Sequence, residues 1–327
     1  MTPDYRIIAE SKDITATIND RLISLTIVDE AGFKSDTMTL RLDNRDGRVA
    51  LPSTGAELEV WMGYRETGLA RMGLYVTDEL TVEGPPDTLT ITANAANMRA
   101  GLKERKARSW DNVSIGDLVK TIAAEHGYTA KVETELAQIS LGHIDQTESD
   151  LHLLTRLAKD HAAIAKAAGG SLLFVSEGNA KSASGKALTP VTLTRSDLER
   201  WTMRNTDRKT YKSALAYWQD IDSGEKRKVV VGEGSPQKVL PGIRPTVNAA
   251  RIAAMAMKDS VNRGKATLDF TCAGRTDLMA ETPLIMDAVA EGINGEWVVN
   301  RATHEISDRG YTVSGSAKLP KKRPSNA

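Results

Sequence analysis

The chain has 327 residues, 40% of them hydrophobic and 26% charged, with Lys+Arg and Asp+Glu both at 43 for a formal net charge of zero. This composition excludes a wholly disordered chain, and the balanced charge supplies no global field to draw it onto nucleic acid or an anionic membrane. A single cysteine, Cys272, excludes an intrachain disulfide framework and a cysteine-cluster zinc site; set among strand-forming residues, it reads as a small buried thiol.

The N-terminus has no basic region followed by an apolar run, and no stretch approaches the ~18 apolar residues of a membrane span, so we expect neither a signal peptide nor a transmembrane helix. The expected site of synthesis is a cytoplasm. At roughly 150 residues per domain the length suggests two or three domains.

Residues 1–98 predict a first β-domain. Leu22 to Val28 is rich in β-branched residues, Thr37 to Leu42 alternates with Met38, Leu40 and Leu42 on one face, and Leu58, Val60 and Met62 alternate again. Gly73 to Val82 and Thr88 to Thr92 flank the turn Gly84-Pro85-Pro86-Asp87. Such spacing suggests a small barrel or sandwich.

Residues 99–170 predict a helical insertion. It opens on a basic stretch, with Lys103, Arg105, Lys106 and Arg108 against Glu104 alone. The stretch reads as a contact strip for an acidic partner or, preferably, as a solvated linker. Ser114 to Asp117 has the form of a capping box, Ile115, Leu118, Val119 and Ile122 repeat at helical spacing, and His126-Gly127 closes that helix. A second helix starts within Thr147 to Asp150, carries Leu151, Leu154, Leu157 and Ala158 on one face and runs through to Gly169-Gly170.

Residues 171–245 predict a mixed β region: a buried strand at Leu172 to Val175, a polar loop over 176–188, and strands at Tyr211 to Gln219 and Lys228 to Val231 around the turn 220–224. Residues 246–327 predict a helix capped by Asn248 and closing at Arg263-Gly264, with Met255 and Met257 filling gaps in a core, then a second β-domain from Lys265 to Leu319 and a frayed tail. The fold class expected is therefore mainly β with α insertions.

An internal repeat underlies this division. At a shift of 222 residues, and without a gap, Gly73-Leu74-Tyr75-Val76 meets Gly295-Glu296-Trp297-Val298, Glu83 meets Glu305, and Thr90-Ile91-Thr92 meets Thr312-Val313-Ser314. Upstream, Ala56-Glu57 meets Ala280-Glu281 at a shift of 224. Each copy reads as strand, turn and returning strand, opened by a glycine and an aromatic anchor. Two related β-domains, one near each end, explain the repeat better than chance does.

Chemistry-bearing motifs are missing. His152 and His161 lie nine residues apart on one helix, about 900° of rotation, and face opposite sides. With His126, His143 and His304 they form no His-Glu-x-x-His or other ligand pattern. There is no Gly-x-Ser-x-Gly elbow and no phosphate loop, and the abundant acids single out no catalytic pair. Only 5% of residues are aromatic, without the basic-aromatic interleaving of an RNA-binding sheet. We expect no catalytic, metal or cofactor-binding residues, and no cofactor.

The stretch from Gly295 to Val313 resembles the end of the phage late control gene D protein family, the baseplate hubs of contractile tails. Trp297, His304, Gly310, Tyr311 and Thr312 occupy the family's closing signature. Gln146 to Leu151 with Leu154 and Leu157, the Gly169-Gly170 step into Leu172, and Trp201 to Arg208 with Tyr211 and Trp218 are similar to the family's central region. The chain is also similar to the hub part of type VI secretion spike proteins, without their long spike extension. This resemblance implies two related tube-type β-barrels per chain, a homotrimer forming a pseudo-sixfold ring, and a structural His304. It implies a place in the virion or bacteriocin baseplate, with the central spike, tail tube, tape-measure and baseplate wedge proteins as partners. Nucleic-acid specificity and membrane insertion are not expected. Two rival readings remain: a tail-tip cell-wall hydrolase, and a peptidoglycan-binding module centred on 112–132.

Overall fold

The computed structural model describes residues 1–32, 35–96, 100–168, 170–178, 188–206, 211–220, 223–263 and 266–320. Most of the expected loop at 176–188, Gly264 and the tail beyond Pro320 lie outside them.

The N-terminal part supplies β1 (Pro3–Ala9), β2 (Lys12–Asp13), a helical turn α1 (Thr15–Ile18), β3 (Leu22–Glu30), β4 (Thr37–Asp43), β5 (Glu57–Tyr64), β6 (Gly68–Glu83) and β7 (Thr88–Ala95). The alternation seen in the sequence sets their faces: Met38, Leu40 and Leu42 are buried, as are Leu58, Val60 and Met62.

The central part begins with β8 (Arg108–Trp110), α2 (Ile115–Glu125), β9 (Thr129–Val132), α3 (Thr134–Ala137), β10 (Ile144–Gln146), α4 (Asp150–Asp160), β11 (Ala163–Ala168) and β12 (Ser171–Ser176). At the first helix only half of the expected capping box forms: Ser114 Oγ accepts from the Asp117 N–H, while the Asp117 carboxylate bonds the Ser114 hydroxyl rather than its N–H. The second helix starts within the expected stretch, where Ser149 Oγ accepts from the His152 N–H, but it ends at Asp160, short of the expected Gly169-Gly170, and β11 follows. Gly127, at φ +67°, follows the first helix as expected. The region is more than helical, because a β11-β12-β9 sheet packs on α2 and α4 around Leu118, Ile122, Leu154, Leu172 and Phe174. That core runs from Leu102 to Phe174.

The remainder contributes β13 (Val191–Thr194), β14 (Leu198–Asn205), β15 (Ser213–Gln219), β16 (Lys226–Gly232), β17 (Gln237–Arg244), α5 (Val247–Arg263), β18 (Ala266–Ala273), β19 (Pro283–Asp287), β20 (Gly295–Ser307) and β21 (Gly310–Lys318). Helix α5 lies on a separate β16-β15-β17 sheet, joined by Ala250, Ala253 and Ala254 against Ala214 and Ala216. Two expectations are corrected here. The Thr246 hydroxyl, not Asn248, accepts the first-turn N–H, from Ala249. Met255 is half exposed, and only Met257 packs on the core.

The first and last strands share one 13-stranded sheet, in the order β14-β18-β21-β20-β3-β4-β7-β6-β5-β1-β2 with β19 and β13 branching from β20. The junction is antiparallel pairing of β20 with β3, from Arg301 opposite Glu30 to Ser307 opposite Ser24. The strands expected to build two barrels thus form one open sheet over one core, with no closed barrel among the described residues.

Within this sheet a four-strand unit occurs twice, side by side: β3-β4-β7-β6 and β14-β18-β21-β20. Bulges fix the equivalence. Ile23 in β3 and Glu199 in β14 are each skipped in the pairing with the second strand. Asp78 in β6 and Asn300 in β20 are each skipped opposite the third. The shift of 222 therefore holds for β6 and β20. The returning strands are displaced: Thr81 pairs with Thr90, whereas Thr303 pairs with Ser314, so the equivalent of Thr90 is Ser314 and not Thr312. Upstream, Gly55 donates to the Thr77 carbonyl and Glu281 to the Val299 carbonyl, both at positive φ, so the ungapped match of Ala56 to Ala280 also slips by two residues.

Candidate functional site

The signature residues lie in and beside the core of the large sheet. His304 is fully buried on β20. Its Nε2 is 2.9 Å from the Leu278 carbonyl, which only accepts, so Nε2 donates and Nδ1 accepts the Tyr311 hydroxyl proton at 2.9 Å. Burial lowers the imidazole pKa and raises that of the Tyr311 phenol, so both stay neutral. Gly274 makes room for the Tyr311 ring: a Cβ there would lie 2.1 Å from Tyr311 Cγ. Trp297 is buried and donates its indole N–H to the Ile293 carbonyl at 2.8 Å. Gly310, at φ +103°, turns the chain from β20 into β21, and Thr312 pairs with Glu305 on the outer face.

The repeat partners divide differently. Tyr75 is buried like its equivalent Trp297, against Gly73. Val76 pairs with Glu57 on one side and Asn94 on the other. Glu83 ends β6 in solvent. The structure therefore gathers Trp297, His304, Tyr311 and Tyr75 in one core and leaves Glu83 outside it.

Two charge clusters escaped the sequence reading. In the first, the buried Asp150 carboxylate accepts from Lys106 at 2.6 Å, Arg108 at 2.7 Å, Gln146 at 2.8 Å and bonds His126 at 2.8 Å. Burial alone would raise the Asp150 pKa, but the hydrogen bonds from Gln146, Lys106 and His126 and the Arg108 charge hold it at about 2. Lys106 and Arg108 also bind Glu125, and Arg108 stacks over Trp110. Lys106 and Arg108, half of the basic residues of this stretch, are thus turned inward, neither solvated linker nor contact strip, while Lys103 and Arg105 are exposed. Glu125, His126 and Asp150 are close enough to share a cation, and the Lys106 ammonium already sits among them.

In the second cluster Lys166, on β11, reaches the large sheet. Its ammonium donates to Asp29 at 2.7 Å, Asp36 at 2.9 Å and the Glu30 carbonyl at 2.9 Å. Asp29 also accepts from the Ala280 N–H at 2.7 Å, so one carboxylate ties the two ends of the chain to the central region. Burial and the neighbouring Asp29 charge push the Asp36 pKa up to about 6, against the pull of Lys166.

The outer face of the large sheet is lined with hydroxyls. One row runs Arg200, Thr271, Ser314, Thr303, Val28, Thr37 and Asn94 across six strand pairings. A second passes from Glu305 through Thr26, Thr39 and Thr92 to Glu79. Apart from Val28, these two rows offer polar contacts from strand to strand.

The family model for the phage tail baseplate hub matches residues 70–310. The chain belongs to the phage tail baseplate hub family. The hub is 35% identical to a probable baseplate hub protein of Escherichia phage 186, over 96% of this chain and 92% of the relative. Its fold is similar to that of a tail protein from Neisseria meningitidis MC58, with a TM-score of 0.74, 15% identity and coverage of 98% and 97% of the two chains. It is also similar to an Escherichia coli component of the type VI secretion system, with a TM-score of 0.57, 11% identity and coverage of 93% and 76%. The hub is mostly β with a few helices, and no helix among its described residues is long and apolar enough to cross a membrane.

Proposed function

We propose that this hub is a trimeric symmetry adaptor, joining a six-fold tail tube to a three-fold central spike in a contractile tail or tail-like bacteriocin. The observation that carries the reading is the doubled four-strand unit, β3-β4-β7-β6 beside β14-β18-β21-β20, in one chain. Three such chains present six similar units to the tube while keeping three-fold symmetry toward the spike. The two tube-type barrels per chain are then completed by assembly rather than within one chain. Under this reading 99–170 is an appended module and His304, Tyr311 and Trp297 shape the sheet without touching a substrate. The hub then has no catalytic activity of its own. Tube, spike, tape-measure and wedge proteins are the proposed partners, in the virion or bacteriocin baseplate.

The test is the mass of the purified hub in solution, alone and co-expressed with the spike protein of the same tail. A trimer, or a three-to-three complex, supports the adaptor. A monomer under both conditions overturns it.

A further inference from the structure

The two four-strand units differ at one edge each, and the difference points to how copies join. In the first unit, β6 pairs with β5 from Gly68 as far as Val76, so among the described residues the stretch from Glu79 to Glu83 carries a partner strand on one side alone. In the second, β14 ends the sheet and has β18 as its one neighbour among the described residues. The sheet's other end is closed by its own chain: the Ile7 N–H donates to the Thr15 hydroxyl, and the Ile7 carbonyl accepts from the Ile14 N–H. Open edges are costly unless something covers them.

Within the chain, the second unit already docks on the first through β20 and β3. The equivalent of β20 is β6, and the equivalent of β3 is β14, by the shared bulges. Carrying the observed pairing across this equivalence places Val82 opposite Met203, Thr81 opposite Arg204 and Glu83 opposite Thr202. We infer that the distal half of β6 in one hub pairs antiparallel with β14 of a second copy, in this register, repeating between chains the junction that β20 and β3 make within one.

Side-chain chemistry agrees with a register derived without it. In both strands one set of alternate residues faces the core and the other faces out. On the core side, Leu80 and Val82 meet Met203 and Trp201, which are half-buried at the open edge. On the outer side, Glu79 and Glu83 fall beside Arg200 and Arg204, within reach of diagonal cross-strand pairs. The within-chain junction has its own charge pair, directly opposed rather than diagonal: Arg301 to Glu30 at 3.5 Å, with the charges on the opposite strands. Exposure tells the same story. His304, sheltered by β3, is fully buried, whereas its equivalent Val82 is 57% exposed. The contact is heterologous, so it closes into a ring or continues.

This inference rests on the proposed self-assembly and adds the strands and register. The test uses the full-length chain with single cysteines, Val82→Cys and Met203→Cys, mixed and mildly oxidised. Directly opposed strand residues sit within disulfide reach. The expected product is a covalent dimer in the mixture and in neither variant alone. Native Cys272 is buried and serves as the background control. Arg204→Glu should slow the linkage by about fivefold, and adding Glu83→Arg in the partner should restore it. A hub that is trimeric by mass but never links, and ignores Arg204→Glu, overturns this interface and leaves the adaptor reading standing. A chain that neither links nor associates overturns both.

Discussion

Replacing Lys166 by Met removes a buried charge while keeping most of the aliphatic stem. The Lys166 side chain is only 18% exposed, and its ammonium satisfies two carboxylates and a backbone carbonyl at 2.7 to 2.9 Å. Deleting one partner of a buried ion pair costs ~3–5 kcal/mol. Asp29 keeps the Ala280 N–H, which places the expected loss near the lower end, about 3 kcal/mol at pH 8. The pH dependence follows from Asp36, whose folded pKa of about 6 lies above its ordinary value. Stability gained by holding that proton is complete below the unfolded pKa and is lost as pH rises through 6. Without Lys166 the Asp36 carboxyl titrates higher still, so the protonated Asp36 tolerates the loss and the variant's deficit shrinks at pH 5. Urea unfolding of both proteins at pH 5 and pH 8, compared at equal m-values, measures this. A deficit below ~1 kcal/mol at pH 8, or one that grows toward pH 5, refutes the argument.

Further outcomes are equally specific. Asp150→Ala leaves Lys106 and Arg108 with Glu125 in place of two carboxylates and should cost ~3 kcal/mol or more, read from the unfolding of the central region. The native Asp150 pKa of about 2 lies below the ordinary value, so its contribution is present above pH ~4 and is lost as pH falls through about 2; acid titration of the wild type against Asp150→Asn should show this. Gly274→Ala drives a methyl into the Tyr311 ring, and an expected loss of ~1–3 kcal/mol appears as a lowered Tm. Ser149→Ala removes the cap of α4 and should cost ~1 kcal/mol in the same assay.

Local chemistry in the sequence located what local chemistry controls. Alternation at Met38, Leu40 and Leu42 named the buried face of β4, and Ser114 and the stretch Thr147 to Asp150 named two helix starts. The repeat located β6 and β20 correctly but not their return strands, because bulges and turn lengths change register without leaving a compositional mark. Lys106, Arg108, Glu125 and Asp150 looked like ordinary surface charges, since they converge only when β8, α2 and α4 pack together. Lys166 was invisible for the same reason: its acceptors lie more than a hundred residues away. The pairing of β20 with β3 could not be read from either strand, as both carry the same polar and apolar alternation.

That pairing also sets a timetable for synthesis. Strand β3 leaves the ribosome early, yet its neighbour β20 is among the last segments made. The central core, spanning Leu102 to Phe174, is contiguous and can consolidate first. The N-terminal strands must wait with the backbone edge of β3 uncovered until the final turns of chain emerge, a period in which unfinished polypeptides are vulnerable to aggregation. A chain stopped before β20 leaves β3 without that neighbour and cannot complete its sheet.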